Sequence, residues 1–86
     1  MKELGNKRPD EFSRNEKKAF QIAMKASSRR NGITRMKLCK LLKREGVYSK
    51  KRDRKEVIQM LIHNSYVPLK YEKGKIVNEL DGEVNA

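Results

Sequence analysis

At 86 residues, with 36 % apolar and 38 % charged side chains, the chain has material for one compact core and little more. No run of 18 apolar residues occurs, and no charged, apolar, small-residue pattern opens the chain, so neither a transmembrane span nor a secretion signal is expected. The single cysteine, Cys39, has no partner for an internal disulfide, which fits a reducing cytosol.

The net charge of +11 is unevenly placed: residues 1–12 balance three bases against three acids, residues 13–75 set 19 bases against five acids, and residues 76–86 hold three acids and no base. A positive body between a neutral and an acidic end implies an anionic partner, with a polyphosphate backbone ahead of an acidic membrane surface.

Residues 1–12 lack periodicity and contain Gly5 and Pro9, so a flexible N-terminal arm is expected there. In "FSRNE", Ser13 is a helix cap and Glu16, three residues on, can reach back to the Ser13 amide in a reciprocal capping box. Ala19, Phe20, Ala23 and Met24, with Ile22 alongside, recur at helical spacing, and "RRNG" ends this first helix at Asn31 or Gly32. In "GITRMKLCKLLKREG", Ile33 leads in, Thr34 caps, Leu38, Leu41 and Leu42 share a face, and Gly46 terminates a second helix. Cys39 reads as a small hydrophobe at a close helix approach rather than as a reactive thiol.

The basic stretch "SKKRDRKE" runs straight into "VIQMLIHNSYV". At 100° per residue, Val57, Ile58, Leu61 and Ile62 fall on one arc, while Arg52, Lys55, Glu56, Gln59 and His63 fall on the other. Asp53 and Glu56 offer a second capping pair, and on that reading the regular helix starts at Asp53 with "SKKR" left as a basic turn. "YVPLKY" and "KIVNEL" then flank "EKG" as a hairpin, Gly74 supplying a positive φ and Val67, Leu69 and Tyr71 forming the half-buried side of the first strand. Residues 81–86 are expected to fray as an acidic tail. His63 is expected to be merely solvated, and Tyr48, Tyr66 and Tyr71, scattered rather than paired, to sit at the core edge.

Helix, helix-turn-helix and hairpin in this order resemble the winged helix-turn-helix family over residues 13–80. "ITRMKLCKLL" is similar to the family's second helix through Leu38, Cys39 and Leu42; "VIQMLIHNSYV" looks like the end of its recognition helix, with Ser65 where glycine is usual; "VPLKYEKGKIVNEL" looks like its wing. Arg54 departs from the pattern, standing where an apolar residue is usual in the first turn of the recognition helix, and "GVYSKKRDR" is longer than a minimal turn. Both departures lead us to expect a basic cluster presented to solvent rather than buried. The resemblance implies a mainly α fold of three helices plus a two-stranded wing, and double-stranded DNA as partner.

The residues suit that role. A B-form major groove admits one α-helix, whose N-terminus directs free amides at phosphate. Lys50, Lys51, Arg52 and Lys55 add full charge there, Gln59 carries the amide that reads adenine, and Arg52 can read guanine. Thr34 and Arg35 are candidate phosphate anchors at the second helix N-terminus, and Lys73 and Lys75 match the wing position that touches backbone or minor groove. A merely solvated face or a localisation signal leaves the outer arc and the basic wing without explanation.

Catalysis finds no support: there is no phosphate-cradling glycine loop, no second cysteine or histidine for a metal, and no activated nucleophile, so neither enzyme activity nor a cofactor is expected. The leading expectation is a sequence-specific transcriptional regulator, cytoplasmic and nucleoid-associated, with two copies pairing through the first helix, the arm or the tail. Coating of DNA for partition or packaging, and binding of ribosomal or other RNA, are the alternatives.

Overall fold

The computed structural model describes residues 7–27 and 32–79; the expectations about residues 1–6, the Asn31 helix stop and the tail at 81–86 fall outside them. The order is a 3₁₀ turn (Pro9–Glu11), α1 (Arg14–Ala26), α2 (Arg35–Arg44), α3 (Lys51–His63), β1 (Leu69–Glu72) and β2 (Lys75–Asn78). Three helices followed by a two-stranded antiparallel hairpin make the fold mainly helical and consistent with the winged-helix layout. None of the described helices is long and apolar enough to cross a membrane.

Local chemistry starts the first two helices where expected. Ser13 Oγ accepts from the Glu16 amide at 3.3 Å while Glu16 Oε1 accepts from the Ser13 amide at 2.8 Å, closing the capping box. Burial pushes the Glu16 carboxyl up, but the Ser13 amide bond and the bond and charge of Lys7 outweigh it and hold the carboxyl below its ordinary value. Thr34 Oγ1 accepts from the Lys37 amide at 3.1 Å. Ser13→Ala and Thr34→Ala should each lower stability by about 1 kcal/mol, read as a shift of the urea midpoint at unchanged slope.

The core gathers the apolar stripes of all three helices: Ala19 and Ala23 from α1, Leu38 and Leu42 from α2, Val57, Ile58 and Leu61 from α3, closed by Phe12, Val47, Val67, Leu69 and Ile76. α1 ends at Ala26, one turn before the expected stop, and the Ser27 hydroxyl donates back to the Ala23 carbonyl at 2.6 Å. α2 ends in a Schellman motif: Gly46, at φ 77°, donates to the Lys43 carbonyl at 3.1 Å and Val47 donates to the Leu42 carbonyl at 2.9 Å. Val47 is thereby turned into the core.

The segment expected to be a free arm is packed from Lys7 onward. Phe12 is buried and meets Phe20 edge to face at 5.7 Å, Lys7 pairs with Glu16 at 3.1 Å, and Arg8 lies over the Tyr66 ring at 5.7 Å. The buried Asn64 amide ties this segment to the end of α3, donating to the Lys7 carbonyl at 2.7 Å and accepting from the Tyr66 amide at 2.8 Å.

Two expectations about α3 are corrected. The helix begins at Lys51, not Asp53: Lys50 is the N-cap, with extended backbone and no side-chain cap, so Asp53 and Glu56 do not form a capping pair. Arg54, expected on the presented basic cluster, is only 5 % exposed. Tyr48 adopts φ 63°, and its carbonyl accepts from Arg54 Nη1 at 2.9 Å, so the guanidinium satisfies the turn's backbone where an apolar side chain could not. Arg54 Nε is left without a partner.

The hairpin pairs Leu69 with Asn78 through Glu72 with Lys75. Its two-residue turn, Lys73 and Gly74, has φ 51° and 80°, the type I′ pattern that matches strand twist. Ile76 also bridges to Ile33, with N···O distances of 3.0 and 2.7 Å, so the α1–α2 connection adds a one-residue strand to the sheet. Tyr71, expected half-buried, is 47 % exposed: past Leu69, β1 projects beyond the core as a wing.

Candidate nucleic-acid interface

The outer faces of α2 and α3 form a groove lined by Arg35, Met36, Cys39, Lys40, Lys43, Lys51, Arg52, Arg54, Lys55, Glu56, Ile58 and Gln59. It is an open groove of about 820 Å³. Its chemistry suits a polyanion: seven of the twelve lining residues are lysine or arginine, and only Glu56 is acidic. The ion pairs Lys7–Glu16 and Lys70–Glu79 lie elsewhere, and among the described residues none of the seven bases is ion-paired. The N-terminus of the 13-residue α3 opens beside Lys51 and Arg52, and with no side-chain cap its first amides keep their donor capacity.

Of the residues singled out in the sequence, Lys51, Arg52, Lys55, Gln59 and Arg35 come together in this groove. Lys50 is exposed at the N-cap, outside the lining. Thr34 is partly buried and uses its hydroxyl oxygen as the cap of α2. Lys73 and Lys75 are exposed on the wing and are not among the lining residues.

Sequence reasoning missed Lys40, Lys43 and Met36. They follow one another at intervals of four and three on the face of α2 opposite Leu38 and Leu42, so the helical period that located the core could have located them. Met36 is 70 % exposed, an apolar side chain in a charged rim.

The groove and the wing are joined by side chains. Arg35 Nη1 donates to Gln59 Oε1 at 2.8 Å, and the same guanidinium lies over the Tyr71 ring, 5.2 Å from its centroid. Gln59 Nε2 meets His63 Nε2 at 3.0 Å, one turn further along α3. The chain Tyr71–Arg35–Gln59–His63 thus crosses β1, α2 and α3 at the surface. Tyr71 and His63, expected to be a core-edge residue and a solvated one, both belong to it. Among the described residues no group of three or more His, Cys, Asp or Glu is placed to hold a metal ion.

The fold and this groove together define a small, strongly basic domain with the winged-helix arrangement of elements. No protein-family model, curated protein or solved structure matches the chain.

Proposed function

We propose that the protein binds double-stranded DNA, with α3 entering the major groove and the wing against the adjacent backbone, and that it acts as a sequence-specific transcriptional regulator. The observation that carries this reading is the groove between α2 and α3, where seven bases meet one acid beside an uncapped helix N-terminus. Phosphate is the partner that satisfies such a surface: each contact releases condensed counterions, and the helix amides add directed donors. A single reading head covers few base pairs, so two copies on two half-sites belong to the same proposal.

Affinity for duplex DNA should fall steeply with salt. If roughly five of the bases contact phosphate, log affinity against log salt should have a slope of about −4 to −5. A slope near zero would show that this surface is not the binding surface. Lys51→Ala should weaken selected and random duplexes alike and make the slope shallower by about 1, because a charge at the helix entrance meets backbone rather than bases. The same titrations on structured RNA and on duplexes of increasing length separate the alternatives. A preference for RNA removes the DNA reading, and length-dependent cooperativity assigns the groove to coating rather than regulation.

A further inference from the structure

We infer that His63, Arg35 and Tyr71 are positioning residues that hold the Gln59 amide in one orientation and thereby set a preference for adenine over guanine at one base pair. The inference rests on the DNA reading above and goes beyond it by assigning how specificity is built.

The amide of Gln59 has two acceptor lone pairs on Oε1 and two donor hydrogens on Nε2. Arg35 Nη1, a donor only, occupies one lone pair at 2.8 Å, so the oxygen end of the amide faces α2. Turning the amide over would set an N–H of Gln59 against an N–H of Arg35. The nitrogen end therefore faces His63 at 3.0 Å, and His63 Nε2 must be the acceptor, with the imidazole proton on Nδ1. Arg35 is itself steadied by the Tyr71 ring beneath it, so an exposed, rotamer-rich side chain becomes a fixed support.

Held at both ends, the amide still has one lone pair and one N–H to offer, their order fixed by Arg35 and His63. Adenine presents the complement in the major groove: the N6 amino group donates to Oε1 and N7 accepts from Nε2. Guanine offers two acceptors there, O6 and N7, and its O6 would oppose the remaining lone pair of Oε1. An unrestrained amide would relieve that opposition by turning its Nε2 hydrogens toward O6 and N7 and its oxygen away, but here that turn would lose Arg35 and His63 together. The positioning network thus converts an amide that adapts in isolation into one that discriminates.

The test is selection of preferred duplexes from a randomised pool, followed by binding of the selected and of random duplexes. We expect the selected site to contain an adenine at which Gln59→Ala loses roughly ten- to a hundred-fold in preference for the selected over the random duplex. Replacing that adenine by 7-deazaadenine, which lacks the N7 acceptor, should weaken the wild type and add nothing further in Gln59→Ala. His63→Ala should lower the preference several-fold without moving random-duplex affinity, and His63→Gln, which restores an acceptor at the same place, should recover most of it. Both side chains are exposed, so the thermal unfolding of these variants should match the wild type. A selected site without adenine, or His63→Ala weakening selected and random duplexes equally, would overturn the inference and leave DNA binding standing. Failure of the wild type to bind any duplex would overturn both.

Discussion

Leu61→Ala should cost about 2–5 kcal/mol of folding free energy, the range for truncating a buried leucine to alanine. Leu61 is 1 % exposed, in the core cluster where α3 meets the other helices and the hairpin. Removing three carbons there forfeits their transfer free energy and leaves a void that neighbouring helices, tied by caps and turns, fill only partly. Native domains hold only about 5–15 kcal/mol in all, so the variant should be unfolded to a measurable degree at ambient temperature. Urea denaturation followed by circular dichroism checks it. Gln59→Ala, two residues away on the exposed arc, should stay within about 0.5 kcal/mol of the wild type, and a reversal of the two results would place the buried arc of α3 elsewhere.

Gly32→Ala should be the most disruptive glycine substitution among the described residues. Gly32 has φ +72°, and a Cβ built there would lie 2.6 Å from the Ile76 carbonyl oxygen and 2.9 Å from Val77 Cγ1. The left-handed backbone alone costs a non-glycine residue about 1–3 kcal/mol. The contact with the carbonyl adds to it, since that oxygen accepts the Ile33 amide and cannot retreat without breaking the bridge between the α1–α2 connection and β2. A loss of about 2–4 kcal/mol is therefore expected, with faster hydrogen exchange at the Ile33 and Ile76 amides. Gly46→Ala is the control: φ is +77° but nothing lies within 4 Å of the added Cβ, so only the backbone term applies and the loss should be near 1 kcal/mol. Equal losses in the two variants would mean that the bridge contributes nothing to stability.

What the sequence determined by itself is what depends on neighbours three or four residues apart. The capping box of Ser13 and Glu16, the Thr34 cap, the Gly46 stop and the turn at Gly74 are local exchanges of hydrogen bonds and φ signs, and each is readable from a few consecutive letters. The 3.6-residue period likewise told which arc of α3 is buried, through Val57, Ile58 and Leu61, and which is open, through Arg52, Lys55 and Gln59. Periodicity says that an arc is covered; it does not say by what. That was left to tertiary structure. Asn64 finds the Lys7 carbonyl across 57 residues and packs a segment expected to be free, and Ile33 finds Ile76 and extends the sheet. Arg54 is drawn inward because the positive φ of Tyr48 turns a carbonyl toward it, a direction no residue-type preference encodes. The candidate site divides the same way. Its charge was legible in composition, but the link from Tyr71 through Arg35 to Gln59 joins residues on three elements, and only their packing brings a donor, a ring and an amide within reach.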